Sequence, residues 1–354
     1  MKGLILSGGK GTRLRPITFT SAKQLVPVGN KPILYYGIES LKAAGITDIG
    51  IIVGDTYKDI QDAVGDGSRW GITVTYLRQE APLGLAHAVK ISEEFMGGDD
   101  FVMYLGDNMI MSGVDEFIDD FKKTKPSASI LLAHVPNPSQ FGVAELSGEK
   151  VVRLEEKPKQ PKSDLALVGV YLFSKDIFTA VNSIKPSKRN ELEITDAIQW
   201  LIENKYSVHS TVIKGWWKDT GKLEDMLEAN RMVLDNIESK ISGNVSKDSE
   251  IHGRVIIESG AEIKNSIVRG PVVIGKDTRI ENSYIGPYTS ISNSCVITGS
   301  EIEHSIILEN SVITSIESRI EGSLLGRNVK IEKSLSKPRS NRFMVGDNSE
   351  IIIL

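Results

Sequence analysis

The chain has 354 residues, which is enough for two domains with complete hydrophobic cores. Its 42 Lys and Arg residues against 46 Asp and Glu residues leave a net charge of −4, so the charge balance does not favour nucleic acid or a membrane surface as a partner. Cys295 is the only cysteine, which excludes an intramolecular disulfide. The N-terminal apolar stretch is too short for a signal peptide, and no apolar run approaches the roughly 18 residues of a membrane span. We therefore expect a cytoplasmic protein.

A glycine-rich loop follows the first predicted strand. Residues 4–6 are apolar and predict a buried strand, which leads directly into Gly8, Gly9 and Gly11. Glycines allow backbone N–H groups to approach phosphate oxygens closely, and fixed positive charge follows at Arg13. The loop has neither the G-x-x-x-x-G-K-[ST] order of a Walker A loop nor the clean G-x-G-x-x-G pattern of a dinucleotide-binding fold. Taken alone, the loop fits either a phosphate site or a tight turn.

Predicted strands and helices alternate along the next hundred residues. Such alternation predicts an α/β domain with a Rossmann-like, mainly parallel sheet that is covered by helices on both faces. Gly45 is placed to end the first of these helices. The predicted strands cover residues 49–53, 72–77 and 101–105, and the predicted helices cover residues 31–44, 59–64 and 84–95.

Asp107 is a second candidate for chemistry. It follows a buried strand, and ligands of such folds bind beyond the carboxyl ends of the strands. A carboxylate at this place is suited to hold Mg²⁺ against substrate phosphates. From its spacing alone, Asp107 is equally well interpreted as a residue that caps the loop.

The glycine loop belongs to a longer pattern. Residues 8–18 read G-G-x-G-T-R-L-x-P-x-T, and residues 23–32 read K-Q-L-x-P-V-x-x-K-P. Together they resemble the signature of sugar-1-phosphate nucleotidyltransferases, and the Lys-Gln-Leu form is most similar to glucose-1-phosphate thymidylyltransferases. Residues 217–221 match the W-x-D-T-G stretch of the same family. The resemblance has clear motifs up to about residue 228 and continues more loosely to the C-terminus.

The resemblance implies a reaction between dTTP and glucose 1-phosphate that gives dTDP-glucose and pyrophosphate. It implies catalytic roles for Arg13, Lys23 and Lys157, which neutralise the reacting phosphates. It also implies that Asp107 and Asp219 share one Mg²⁺ ion. The reaction needs no covalent intermediate, because the sugar phosphate is itself a nucleophile.

The resemblance also implies a set of substrate-binding residues. A glutamine reads thymine in this family, and that position is Gln79 here. Glu156 corresponds to the residue that accepts hydrogen bonds from the sugar hydroxyls, and Arg189 to one that reaches a phosphate. The full set is Leu6, Gly8, Gly9, Gly11, Thr12, Gln24, Gln79, Gly84, Asp107, Gly142, Glu156, Leu167, Tyr171 and Arg189.

The C-terminal third has a repeat of 17 residues. Apolar residues recur with gaps of 6, 6 and 5, which is a hexapeptide repeat with one residue deleted in each coil. This pattern predicts a parallel β-helix, and by resemblance the left-handed form. The register slips after Leu308, where Ile313 stands beside a Thr that breaks one row. The recurring residues are Ile251, Val268, Ile285 and Ile302; Ile257, Ile274, Ile291 and Leu308; and Ile263, Ile280 and Ile297.

We therefore predict a nucleotidyltransferase domain at residues 1–240 and a β-helix domain at residues 241–354. A helix over residues 223–237 links the two. Residues 343–354 are expected to cap the open end of the coil. We expect the coil to set assembly into a homo-oligomer and not to take part in the chemistry.

Three alternatives remain open from the sequence. The first is another NDP-sugar pyrophosphorylase, with UTP in place of dTTP. The second is a non-catalytic regulatory or assembly subunit, although such a subunit would be expected to lose one of the signature residues. The third is a bifunctional enzyme whose coil transfers acyl groups with His252 or His304 as a base.

Overall fold

The computed structural model describes residues 1–110, 114–333 and 341–353. By compactness, the chain divides into two units. The first comprises Met1–Lys10, Ala22–Leu25 and Ile33–Asp219. The second comprises Gly11–Ser21, Val26–Pro32 and Thr220–Leu354. The boundary at residue 240 between a catalytic and a β-helix domain stays a prediction.

The first 240 residues contain the longer elements. The helices are α1 Ile33–Ala43, α2 Tyr57–Val64, α3 Leu85–Ile91, α4 Glu93–Met96, α5 Asp115–Thr124, α6 Asp176–Ser183, α7 Ile194–Glu203 and α8 Leu223–Leu234. The strands are β1 Lys2–Ser7, β2 Pro27–Val28, β3 Lys31–Pro32, β4 Asp48–Val53, β5 Thr73–Arg78, β6 Phe101–Leu105, β7 Asn108–Ile110, β8 Ala128–His134, β9 Gly142–Ser147, β10 Lys150–Glu156, β11 Leu165–Phe173, β12 Val208–Val212 and β13 Trp217–Asp219.

A nine-stranded sheet is the centre of the first unit. Its main order is β10-β9-β11-β6-β1-β4-β5, and β8 pairs with β11 and β12. The four strands β6, β1, β4 and β5 are parallel, whereas β11 joins β6 in the antiparallel direction. Leu4 and Leu6 pack into one hydrophobic cluster and Ile5 into another, so the central strand is buried on both faces. The predicted Rossmann-like α/β architecture is confirmed.

All four predicted helices have different bounds in the structure. The helix predicted over residues 59–64 begins at Tyr57, and the one predicted over residues 223–237 ends at Leu234. The first predicted helix begins at Ile33, because Lys31–Pro32 pairs with Pro27–Val28 as a short hairpin. The helix predicted over residues 84–95 is divided at Ser92 into α3 and α4. The Ser92 hydroxyl donates to the carbonyl of Val89 at 2.7 Å, which gives the backbone a local alternative to the helical hydrogen bond.

The second unit contains the predicted β-helix. Three sheets of short parallel strands run through it, with orders β14-β17-β20-β23-β26-β29, β15-β18-β21-β24-β27-β30 and β16-β19-β22-β25-β28. This is the arrangement expected for the left-handed form. The strands are β14 Lys240–Ile241, β15 Asn244–Val245, β16 Glu250–His252, β17 Val255–Ile257, β18 Glu262–Lys264, β19 Ile267–Arg269, β20 Val272–Ile274, β21 Arg279–Glu281, β22 Tyr284–Ile285, β23 Thr289–Ile291, β24 Val296–Thr298, β25 Glu301–Glu303, β26 Ile306–Ile307, β27 Val312–Thr314, β28 Ile320–Glu321, β29 Leu324–Leu325 and β30 Lys330–Glu332.

The predicted rows of apolar residues are confirmed except at one position. Ile251, Val268, Ile285 and Ile302 are register partners in successive coils. The partner of Ile291, however, is not Leu308. It is Ile307, so the coil between them is one residue shorter than the repeat. The same shift brings Ile313 opposite Ile297. The register therefore slips before Leu308 and not after it.

The prediction that residues 343–354 cap the coil is wrong for the residues described. All of residues 341–353 are exposed and contain no strand or helix, and Leu354 lies outside the described residues. Met344 is 100% exposed and Ile352 is 85% exposed, whereas a cap would bury such side chains. No helix within residues 1–110, 114–333 and 341–353 is long and apolar enough to cross a membrane.

Candidate active site

The carboxyl ends of four neighbouring strands, β6, β1, β4 and β5, meet at one edge of the sheet. Ser7 and Val53 are register partners at the ends of β1 and β4, and the Gln79 N–H donates to the Val53 carbonyl at 2.8 Å. On the other side of β1, the Gly106 N–H donates to the Leu6 carbonyl at 2.9 Å. The glycine loop, Gln79 and the residue before Asp107 therefore lie along this edge, as predicted for a ligand site.

Two polar atoms at this edge are buried without a hydrogen-bond partner among the described residues. They are the hydroxyl of Ser7, at the end of β1, and the amide oxygen of Gln24. The Gln24 amide lies beside Gly9, because a Cβ built on that glycine would be 3.9 Å from Nε2. Buried polar groups are nearly always hydrogen-bonded in folded proteins. Their presence here points to a bound polar ligand.

Lys23 connects the two candidate metal ligands. Its side chain is only 6% exposed, and Nζ lies 2.5 Å from Oδ2 of Asp107 and 3.6 Å from Oδ1 of Asp219. Burial opposes ionisation of Asp107, but the charge and hydrogen bond of Lys23 outweigh it and hold the pKa of that carboxyl below its usual value. Both carboxylates are thus brought to one point, as the sequence predicted.

A two-stranded ribbon brings these aspartates together. Strands β7 and β13 pair in the antiparallel direction, with Asp219 opposite Asn108. The Asn108 amide donates to Oδ1 of Asp107 at 2.9 Å and accepts a hydrogen bond from the Trp217 indole at 2.5 Å. Since Trp217 also packs edge-on against Phe141, with ring centroids 5.4 Å apart, the ribbon connects the carboxylates to the start of β9.

The two carboxylates suit a hard divalent cation. Carboxylate oxygens are the ligands that Mg²⁺ prefers, and Mg²⁺ is commonly held by one or two carboxylates together with substrate phosphates and water. Among the described residues, no group of three or more His, Cys, Asp or Glu side chains is placed to hold a metal ion.

Four residues that are predicted to bind the sugar phosphate lie close together: Gly142, Glu156, Lys157 and Leu167. We call this cluster the sugar side. A Cβ built on Gly142 would lie 2.7 Å from Leu167 and 3.1 Å from Oε2 of Glu156, so a side chain here would displace these neighbours. Burial raises the pKa of Glu156, with the Lys157 and Arg189 charges opposing this effect. Lys157 itself has a φ of 45°, in the left-handed region, which non-glycine residues adopt less often than glycine.

Arg189 lies in a network of carboxylates. It donates to Glu193 at 2.8 and 3.1 Å and lies 3.3 Å from Oε1 of Glu156. Glu193 is buried and also accepts a hydrogen bond from Ser187. An open groove of about 680 Å³ is lined by Glu156, Lys157 and Arg189 among others. The cationic side chains of Lys157 and Arg189 therefore both line this groove, together with Glu156.

Tyr171 is buried in the core of the first unit. It lies in β11, and its ring stacks on Phe173 with centroids 5.9 Å apart. Burial raises the pKa of its hydroxyl, and the carboxylate of Glu156 adds to this effect. The predicted binding residue therefore lies within electrostatic reach of the sugar side.

The loop that follows Gln79 depends on a glycine. Gly84 has a φ of 101°, and a Cβ at that position would lie 2.3 Å from the Leu192 carbonyl oxygen. The Leu192 N–H donates to Leu83 and the Ala86 N–H donates to Leu192. Any side chain at Gly84 would separate these two segments.

Gly11, Thr12 and Arg13 belong to the second unit. Thr12–Leu14 forms a short 3-10 helix after Gly11, whose carbonyl accepts a hydrogen bond from the Thr18 hydroxyl at 2.7 Å. The Arg13 guanidinium lies against Gly221 of the W-x-D-T-G stretch, where a Cβ would be 2.7 Å from Nη2. The roles assigned to these residues stay predictions.

Sequence reasoning missed several residues that organise the site. Asn108, Glu193 and His87 each hydrogen-bond to a predicted site residue. Asn108 is next to Asp107 in the sequence, and Glu193 comes four residues after Arg189. Their closeness in sequence to predicted site residues could therefore have indicated these two contacts. His87 lies eight residues after Gln79, in the helix that follows the loop. Only its position in the first turn of that helix could have suggested its contact with Gln79.

Comparisons with known proteins agree with this geometry. The family model for nucleotidyl transferases matches residues 2–236. A glucose-1-phosphate thymidylyltransferase of Streptomyces antibioticus is 56% identical over 355 residues, which cover 100% of this chain and 99% of that protein. The bifunctional protein GlmU of Methanococcus maripaludis is 40% identical over 334 residues, or 93% of this chain and 78% of that protein.

Solved structures give the same result. A Bacillus anthracis protein assigned as a glucose-1-phosphate thymidylyltransferase, crystallised with a sucrose, matches with a TM-score of 0.64 and 38% identity. The match covers 68% of this chain and 98% of that one. The resemblance read from residues 8–32 is therefore confirmed, and the chain belongs to the nucleotidyl transferase family.

Proposed function

We propose that the chain transfers a thymidylyl group from dTTP to glucose 1-phosphate and releases pyrophosphate. The observation that carries the proposal is the contact of buried Lys23 with both Asp107 and Asp219 at the carboxyl ends of the sheet. The 56% identity over the full chain to a glucose-1-phosphate thymidylyltransferase supports the choice of both substrates.

The reaction requires positioning and charge neutralisation. A phosphate oxygen of glucose 1-phosphate attacks the α-phosphorus of dTTP in line, a new P–O bond forms, and the bond to pyrophosphate breaks. Negative charge grows on the leaving pyrophosphate, so cationic side chains lower the barrier. We assign Arg13 and Lys23 to the triphosphate, and Lys157 and Arg189 to the sugar phosphate.

Enzymes of this family generally use a divalent metal ion, and we propose Mg²⁺. Asp107 and Asp219 would hold it, and when bound it would neutralise phosphate charge and orient the triphosphate. Lys23 favours the ionised form of Asp107 and contacts both carboxylates before the metal binds. Glu156 is the acceptor that we assign to the sugar hydroxyls.

The proposal is tested by following pyrophosphate release from the full chain. Triphosphates (dTTP, UTP, dCTP, dATP and GTP) are combined with glucose 1-phosphate, galactose 1-phosphate and N-acetylglucosamine 1-phosphate, with Mg²⁺ and then with EDTA. We expect the highest kcat/KM for dTTP with glucose 1-phosphate, and loss of activity with EDTA. Absence of turnover with every pair would support the alternative of a non-catalytic subunit.

Arg13→Ala and Lys157→Ala are expected to change different kinetic constants. Arg13→Ala should lower kcat by about 100-fold with a smaller effect on dTTP binding, because its charge is needed most as the leaving group develops. Lys157→Ala should mainly raise the KM for glucose 1-phosphate, by about tenfold. Steady-state kinetics with each substrate varied in turn distinguishes the two.

The control is Lys58→Ala, which removes an exposed lysine of the Lys58–Asp62 pair and should leave the kinetics unchanged. If both test variants only weakened dTTP binding, the roles assigned to Arg13 and Lys157 would be wrong.

A further inference from the structure

The side-chain amide of Gln79 has both of its hydrogens engaged within the first unit. Its Nε2 lies 3.1 Å from the Gly84 carbonyl oxygen and 3.0 Å from Nδ1 of His87. An amide of this kind has two N–H donors and one carbonyl acceptor. After both contacts, the amide can only accept a further hydrogen bond.

The Gly84 carbonyl decides which way this amide points. A backbone carbonyl can only accept, so the nitrogen of the Gln79 amide and not its oxygen must face Gly84. The backbone on both sides of Gly84 is hydrogen-bonded to Leu192, through the Leu83 carbonyl and the Ala86 N–H. The amide oxygen then points elsewhere. It lies 3.3 Å from the place that a Cβ on Gly8 would take, beside the glycine loop.

His87 holds the second amide hydrogen. It lies in α3, which follows Gly84 directly, and its Nδ1 must be unprotonated to accept a hydrogen bond from Gln79. Burial, together with the charge of Lys90, lowers the pKa of His87 and keeps the ring neutral at neutral pH. The neutral ring then carries its hydrogen on Nε2. Without His87 one amide hydrogen would lose its acceptor, and the orientation of the amide would depend on the Gly84 carbonyl alone.

We propose that His87 is a positioning residue for base recognition: by accepting the second amide hydrogen of Gln79, it presents the Gln79 carbonyl oxygen to the base and so selects a base that donates a ring N–H. The inference rests on the proposed function, in which Gln79 faces the base of the triphosphate. Thymine and uracil carry N3–H and satisfy the carbonyl oxygen. Cytosine has an unprotonated N3 instead, so two acceptors would face each other.

The test compares His87→Leu, His87→Asn and wild type in the full chain. Leu removes the acceptor and keeps an apolar side chain of similar bulk, whereas Asn offers Oδ1 near the place of Nδ1. The measured quantity is the ratio of kcat/KM for dTTP to kcat/KM for dCTP, together with the KM for glucose 1-phosphate. His134→Leu, which removes an exposed histidine of the His134–Asp164 pair, is the matched control.

We expect His87→Leu to lower the dTTP-to-dCTP ratio by about tenfold, with the KM for glucose 1-phosphate unchanged. His87→Asn and His134→Leu should keep the ratio within about threefold of wild type. An unchanged ratio in His87→Leu, or an equal loss with both triphosphates, would overturn the proposal, because a merely structural role lowers both alike.

A wrong assignment of thymidylyl transfer would be seen in the wild-type chain and not in the His87 variants. A wild-type chain that strongly prefers UTP to dTTP would refute thymidylyl transfer. The His87 proposal would then be judged by the UTP-to-CTP ratio, since uracil has the same N3–H, with the same tenfold fall expected. A wild-type chain that prefers dCTP or CTP would overturn both.

Discussion

Asp107→Asn is expected to lower kcat by at least about 100-fold while the chain remains folded. The carboxylate contacts Lys23 through one oxygen and accepts the Asn108 amide through the other. An amide at this position would remove the negative charge, and its NH₂ group would face either the Lys23 ammonium or the Asn108 donor. The site would lose one of its two candidate metal ligands. Lys23 would still contact Asp219, so its buried charge would keep one partner.

The measurement is kcat for pyrophosphate release, with circular dichroism and a Mg²⁺ titration of the same preparation. Asp62→Asn is the matched control, because Asp62 is exposed and pairs only across one helical turn with Lys58 among the contacts described. A folded Asp107→Asn chain with near-wild-type turnover would refute the role of Asp107.

Asn230→Ala in the full chain is expected to lower both the melting temperature, by several degrees, and kcat, by about tenfold. Asn230 lies in α8 and is completely buried. It accepts hydrogen bonds from the Gly29 N–H at 2.9 Å and the Ser290 hydroxyl at 2.7 Å, and donates to the Tyr288 carbonyl at 3.0 Å. Removing its amide takes this partner from three polar groups, of which the Ser290 hydroxyl is buried and the other two are half-buried.

The expected effect on kcat follows from the hydrogen bond between Asn230 and Gly29. Gly29 and Asn30 form the turn of the β2–β3 hairpin, which begins two residues after the signature Lys-Gln-Leu. Asn30 donates to the Ile291 carbonyl of the coil at 2.7 Å. The coil and α8 thus support a segment of the signature within the second unit.

Asn236→Ala is the control, because Asn236 is exposed and only hydrogen-bonds to the Met232 carbonyl of its own helix end among the contacts described. Thermal unfolding and kinetics are measured on the same samples, well below the melting temperature of each. A lowered melting temperature with unchanged kcat would show that the hairpin does not position the site.

The regular parts of the fold could be predicted because apolar residues recur in the sequence with the period of each structure. In the coil, the 17-residue repeat is also the register of the strands, so Ile251, Val268 and Ile285 could be placed opposite one another. The prediction failed at Leu308 because Ile306, Ile307 and Leu308 are all apolar and all buried. A deletion inside such a run leaves no visible gap in the pattern.

The individual residues of the site could be predicted from the sequence, but the contacts between their side chains could not. Asp107 and Asp219 were expected to meet only through the family resemblance, since they are 112 residues apart in the numbering of the chain. Nothing in the sequence shows that Lys23 lies between them, or that His87 reaches Gln79, because such contacts depend on how strand ends and loops meet in three dimensions. The contact of Asn30 with the coil is likewise a product of packing between distant segments.

The most direct test of thymidylyl transfer is a competition in one vessel. Equal concentrations of dTTP and UTP are supplied with limiting glucose 1-phosphate, Mg²⁺ and the full chain, and the sugar nucleotides are resolved by liquid chromatography with mass spectrometry. We predict that dTDP-glucose exceeds UDP-glucose at every early time point. A product pool dominated by UDP-glucose, or the absence of both products from folded protein, would contradict the account.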